Sequence, residues 1–244
     1  MSYAGLVSAP AWQEIVERVA AACQPAGFDL IRPFAADWFN AGLPESERLY
    51  DFGRPASLGI LLGNTRALWP VFQRAVRQSA SLAAAEHPLD NYTKRLLWRA
   101  ASLVAPLASC TYFAHTPPPL AIPIQRLAEL IGFAGLSPSR LAVHPSYGPW
   151  FALRAVLLVD IAGPDAAPPE PIRPCLGCSE PCMPHFEHAV RVSTPLDAEA
   201  IARHAAEWIA VRDACPIGRD FRYGDDQLAY HYQFDRRRLL PHGS

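Results

Sequence analysis

A chain of 244 residues, half of them hydrophobic and six of them tryptophan, is long and apolar enough to build one large domain or two small ones, which excludes global disorder. A formal net charge of −1 gives no electrostatic case for binding nucleic acid or an anionic membrane. Lys94 is the only lysine, so cationic chemistry here is arginine chemistry, with planar guanidinium forks suited to carboxylates and phosphates.

The N-terminal stretch carries Trp12, Glu14, Glu17 and Arg18 where a signal peptide needs a basic start and an apolar run, so none is expected. No apolar run approaches the ~20 residues of a membrane helix. The expected location is cytoplasmic, with reduced thiols. Trp12, Ile15, Val16, Val19, Ala20 and Cys23 recur at helical spacing and predict an amphipathic helix over 10–23, ended by Pro25 and Gly27. "FDLIRPF" predicts a short strand and 56–63 a buried one. Helices are predicted over 66–84 and 89–104, and a strand over 109–115. "TPPPLAIP" reads as a loop and "IQRLAELIGFAG" as a helix stopped by glycine. "SRLAVHP" and "WFALRAVLLVD" read as two strands joined by a turn. From Ala162 to Pro184 seven prolines predict a loop or small insertion. Helices follow over 196–214 and 225–234, and "DRRRLLPHGS" forms a basic tail. Strands interleaved with helices predict an α+β domain: a mainly antiparallel sheet flanked by helices, decorated by the Cys/Pro-rich insertion.

Two features do not belong to an ordinary core. "HPSYGPWFALRAV" puts His144, Tyr147, Gly148, Trp150 and Phe151 in and beside one turn, then interrupts the apolar run that follows with Arg154. A buried strand needs neither. Further on, Cys175, Cys178 and Cys182 form a C-x2-C-x3-C array, and Cys215 is followed by Pro216. Closely spaced thiolates on a Pro/Gly-rich loop wrap metals or clusters because short side chains on a bending backbone reach one point. Three readings stand: a [4Fe–4S] cluster on all four cysteines, zinc on the first three with His185 or Cys215, or a loop that has lost its cluster. Phe186, where a compact ferredoxin pattern has its fourth cysteine, supports the last. Cys23 and Cys110 sit in apolar patterns and read as small buried hydrophobes.

Along most of its length the chain resembles the CblC-type cobalamin-processing proteins. The resemblance rests on "PAGFDLIRPFAADWFNAGLP" (25–44), "PLD" (88–90), "HPSYGPWFALRAV" (144–156), "RDA" (212–214), "RY" (222–223), Q-x-A-Y (227–230) and "RL" (238–239), in the family's order. The 144–156 block is also similar to that of epoxyqueuosine reductase, which binds cobalamin and carries two [4Fe–4S] clusters. Two such clusters need more cysteine ligands than the six cysteines of this chain.

The CblC resemblance implies a nitroreductase-like core over 1–161, a ferredoxin-like loop over 162–190, and C-terminal helices over 191–244 that complete a thiol pocket. It implies cobalamin held base-off, with His144, Tyr147, Gly148, Trp150 and Phe151 beside the corrin. It further implies glutathione as co-substrate, positioned by Arg154, Arg212 and Arg238. The function so implied is removal of the upper axial ligand, by reductive decyanation or glutathione-dependent dealkylation. Two alternatives remain at this point: an iron–sulfur, cobalamin-dependent reductase of the epoxyqueuosine reductase kind, and a non-enzymatic cobalamin carrier. Expected partners are an electron-donor protein and no nucleic acid or membrane; the chain is expected to be a monomer or weak homodimer.

Overall fold

The structure, a computed structural model, describes residues 11–117 and 121–239. In chain order its elements are α1 (Trp12–Cys23), β1 (Leu30–Ala35), α2 (Ala36–Asn40), β2 (Ser57–Asn64), α3 (Leu68–Gln78), α4 (Ala80–Ala83), α5 (Pro88–Leu103) and β3 (Ser109–Phe113). There follow α6 (Ile124–Leu130), β4 (Gly135–Leu136), β5 (Ala142–Val143), β6 (Ala152–Ala162), α7 (Cys182–Val192), α8 (Ala198–Arg203), α9 (Ala205–Asp213) and α10 (Asp225–Gln233).

The main sheet has the order β1-β2-β6-β3, with every neighbouring pair antiparallel. The two central strands are the most apolar, as burial on both faces requires, and all eight residues of β2 are buried. Strand alternation divides their side chains between two cores. Leu58, Ile60, Leu62, Ala155, Leu157 and Val159 face the layer of α1, α3 and α5, meeting Ile15, Phe72 and Leu97. Leu61, Val156 and Leu158 face the opposite layer with Phe34, Phe39 and Leu127, from β1, α2 and α6. Each fully buried aliphatic side chain contributes roughly 1.5–3 kcal/mol, so these interleaved rows hold the sheet between its helices. A third, smaller cluster of Trp150, Tyr223 and Leu228 ties the start of β6 to the C-terminal helices.

The expected α+β architecture with an antiparallel sheet is present, and four local expectations change. The helix expected over 66–84 breaks at Ser79, whose hydroxyl accepts the Leu82 N–H and starts α4. The strand expected at 139–145 shrinks to Ala142–Val143, because a turn closed by Ser137 and Leu141 consumes the rest. The loop expected to run to residue 190 becomes helix from Cys182: Pro181 precedes the helix and Pro184 lies in its first turn, where no N–H is needed. The single helix over 196–214 splits at His204. Residue 10 of the first helix, residues 118–120 of the proline loop and the last five residues of the basic tail lie outside the described residues.

Candidate functional site

The turn between β5 and β6 is built by its own residues. His144 and Gly148 exchange both backbone hydrogen bonds, at 2.9 and 2.8 Å. The His144 Nδ1 accepts N–H groups of Ser146 and Tyr147 at 3.1 and 3.3 Å. Burial lowers the His144 pKa, which keeps that nitrogen available as an acceptor. Tyr147 stacks on His144 and meets Phe221 edge-on, both at 4.6 Å between centroids. A second segment crosses this turn backbone to backbone. A Cβ on Gly148 would stand 1.9 Å from the Ile217 carbonyl oxygen, and one on Gly218 would stand 2.1 Å from that of Tyr147.

Arg154 owes its direction to a break in strand register. Leu62 pairs with Ala155 and Gly63 with Leu153, so Arg154 is an extra residue in β6. Such a bulge reverses the alternation of side chains. Leu153 therefore packs with the α6 layer, and Arg154 turns toward α5 and α10, among Asp90, Tyr230 and His231. Its Nε donates to Asn64 Oδ1 at 2.7 Å, while its Nη2 is buried without a partner. Arg212, at the end of α9, donates from Nη1 to the Pro149 carbonyl and stands 5.8 Å from the Trp150 ring centroid. The Arg212 Nε, Tyr223 hydroxyl and Gln227 Oε1 are likewise buried and unpartnered. Among the described residues no carboxylate forms an ion pair with either guanidinium.

Arg154, Arg212 and Tyr223 line three adjoining cavities of about 280, 370 and 300 Å³. The first two share Arg154, His231 and Phe234; the second and third share Phe151, Ala152 and Arg212. Asp90 lines the first cavity beside Arg154 but pairs with His115, so the two guanidiniums keep donor capacity for an anionic ligand group. Burial lowers the Arg154 pKa, and Arg212 adds to that effect.

Burial, and then the charges of Arg154 and Arg212, hold the His231 imidazole down at about 3. An unfolded histidine titrates near 6.5, so between those values the unfolded chain binds the extra proton, and stability falls as pH falls. The His231 contribution is at most about 1.4 kcal/mol per pH unit. His115 and His144, also lowered chiefly by burial, act in the same direction. Urea midpoints measured from pH 7 to 5 are expected to drop, and to drop less for His231→Phe. Equal slopes in the two proteins would assign the effect elsewhere.

Cys175, Cys178, Cys182 and Cys215 line a second pocket with Val143, Val211 and Pro149. All four thiols are free, and burial raises the pKa of Cys175 and Cys215, with the neighbouring cysteines adding to it. Phe186 meets Trp208 edge-on at 6.2 Å, so the residue standing where a ferredoxin has cysteine docks α7 on α9. That docking carries Cys182 toward Cys215. Among the described residues no three His, Cys, Asp or Glu side chains converge closely enough to hold a metal ion. Leu141 and Pro149 line both this pocket and the third cavity, so one layer of residues separates the thiols from the Arg212 pocket.

Of the residues expected at a site, the structure brings together Phe151, Arg154 and Arg212 at the cavities. Trp150 is instead 1% exposed and packed on Tyr223, beneath the surface. His144, Tyr147 and Gly148 shape the turn. Arg238 pairs with Asp226 and Asp235, each at 3.2 Å, and lines none of the three cavities. Sequence reasoning assigned no role to Asn64, Tyr223, Gln227 or His231. Gln227 and His231 are four apart on α10 and so share a helix face, which is the one signal that pointed inward.

No family model matches the sequence, and no curated protein sequence matches it. Among solved structures, a C. elegans B12-trafficking protein CblC, a human MMACHC homologue, superposes with a TM-score of 0.68 at 17% identity, covering 93% of this chain and 94% of that one. This is the CblC fold. An epoxyqueuosine reductase matches the same CblC-like frame with a TM-score of 0.55 at 14% identity, covering 94% of this chain and 71% of that one. No helix among the described residues is long and apolar enough to cross a membrane.

Proposed function

We propose that the protein binds cobalamin as a substrate and processes its upper axial ligand, with Arg154 and Arg212 holding the carboxylate of a thiol such as glutathione. One observation carries this reading: two guanidiniums that form no ion pair among the described residues, each with a buried unpaired nitrogen, lining three joined cavities. A corrin is a wide apolar macrocycle fringed with amides, and it needs apolar walls with a few hydrogen-bonding groups. Phe151 and Ala152 offer the first; Tyr223, buried with an unpaired hydroxyl, offers the second. Arginine forks match a carboxylate bidentately and fix the attached thiol in one orientation. The CblC fold supports the same reading, because the C. elegans protein is named for B12 trafficking. Between decyanation and thiol-dependent dealkylation, the paired arginines favour the second.

The four cysteines that share a pocket support a further reading, in which Cys175, Cys178, Cys182 and Cys215 hold one metal centre, [4Fe–4S] or zinc. A cluster would supply one-electron redox chemistry; zinc would cross-link the insertion to α9. The thiols need to draw closer than they stand for a single ion, and no step of the reaction is assigned to them.

One preparation tests both readings. Protein purified without oxygen is expected to shift the absorption of added methylcobalamin to the base-off form and to retain the vitamin on a size filter. An unchanged spectrum with free passage overturns the cobalamin reading. Metal analysis of the same sample is expected to find iron and sulfide near about four each for a cluster. Zinc alone assigns a structural site, and no metal leaves the four thiols as packing.

A further inference from the structure

The end of α10 places an aromatic ring where local physics disfavours one. Phe234 has φ 55° and ψ 29°, the left-handed conformation that closes many helices and that glycine or asparagine usually supplies. Its side chain is 59% exposed, and among the described residues no other aromatic ring contacts it. Phenylalanine therefore carries both the backbone strain and the exposure of a large apolar surface. The surrounding turn holds it there. The Phe234 and Asp235 N–H groups both donate to the Ala229 carbonyl. Asp235 pairs with Arg237 and Arg238, and Gln73 Nε2 donates to the Arg238 carbonyl at 2.8 Å. A strained residue fixed so firmly in place is a feature of ligand-contact sites.

What the ring covers gives the reason. Phe234 lines two of the three cavities, those that meet over Arg154 and His231. There it stands with Arg154 and His231, and it extends the apolar walls that Leu89 gives the first cavity and Phe151 and Ile201 give the second. We infer that Phe234 is a ligand-positioning residue, whose exposed face packs against the flat apolar part of a ligand anchored by its polar groups below. This rests on the cobalamin reading, and it adds a contact that separates binding from folding: the ring serves the ligand and not the fold.

Phe234→Gly is the informative variant, because the two quantities should move in opposite directions. Glycine accepts the left-handed conformation freely, so the thermal midpoint of the ligand-free protein is expected to rise by about 2–4 °C. Affinity for hydroxocobalamin, measured by equilibrium dialysis, is expected to fall about tenfold or more, as when an aromatic anchor is removed. Phe234→Tyr keeps the ring and is expected to keep the affinity. A lower midpoint for Phe234→Gly would make the ring a folding contact and overturn the inference. Unchanged affinity would also overturn it, while leaving the cobalamin reading standing. Failure of the unaltered protein to bind hydroxocobalamin would remove both.

Discussion

Arg154→Ala is expected to weaken the use of glutathione in cobalamin dealkylation about ten- to a hundredfold, with cobalamin capture nearly unchanged. A hydrogen bond from a charged donor to a desolvated carboxylate is worth roughly 1.5–3 kcal/mol, which is that range of affinity. Arg154 has a buried Nη2 to make such a bond, since among the described residues its side chain is hydrogen-bonded to Asn64 through Nε alone. Arg154→Lys should not rescue it, because an ammonium lacks the fork and cannot satisfy Asn64 and a ligand in the same geometry. Removing Arg154 also leaves Asn64 Oδ1 unpaired, which lowers stability. Arg212→Ala is the companion variant; it releases the Pro149 carbonyl and the cation–π contacts with Trp150 and Tyr232 but orphans no buried side-chain acceptor. Steady-state rates over a range of glutathione concentrations, beside cobalamin dialysis, give both numbers. If either substitution reduces the two functions equally, the guanidiniums are structural. Arg238→Ala is expected to leave the glutathione dependence alone, since Arg238 is already engaged by Asp226 and Asp235.

Gly148→Ala is expected to destabilise the fold by roughly 2–5 kcal/mol, the sum of a left-handed backbone and a steric overlap. The backbone at Gly148 has φ +56°, and the added methyl would lie 1.9 Å from the carbonyl oxygen of Ile217. No side-chain rotation relieves that contact, because the obstacle is main chain. The turn and the 215–221 segment must part, which withdraws Pro149 from Arg212 and Tyr147 from Phe221. Two controls separate the causes. Gly177 has φ +75° with open space around it, so Gly177→Ala should cost about 1 kcal/mol. Gly224 has an ordinary φ of −66° and open space but caps the N-terminus of α10, so Gly224→Ala should cost only the poorer cap, about 0.5–1 kcal/mol. Urea denaturation of the three variants gives the order. A cost for Gly148→Ala no larger than that of Gly177→Ala would mean that the two segments separate freely.

Much of the fold was legible because it follows from local rules. The apolar continuity of 56–63 and 150–160 marked the two central strands, and the 3.6-residue spacing of Ile15, Val19 and Cys23 marked the buried face of α1. The differences also have local causes. Prolines 181 and 184 carry the signature of a loop and also fit the first turn of a helix; only the contact of Phe186 with Trp208 decides between the two. Trp150 looked like a ligand surface because aromatic residues serve both cores and sites; its burial against Tyr223 is a property of the C-terminal helices.

For the candidate site the division is sharper. The sequence by itself determined that an arginine would interrupt a buried strand, that three cysteines would lie close together on one segment, and that glycine would occupy the middle of the 144–151 turn. It did not determine where the arginine points. By strict alternation Arg154 belongs on the face of Val156 and Leu158, against α2 and α6. The pairing of β6 with β2, a strand some ninety residues earlier, inserts one unpaired residue and sends Arg154 to the opposite face, toward Arg212 and His231. A register slip is a property of two strands together, set by hydrogen bonds between them, and no window of either strand contains it.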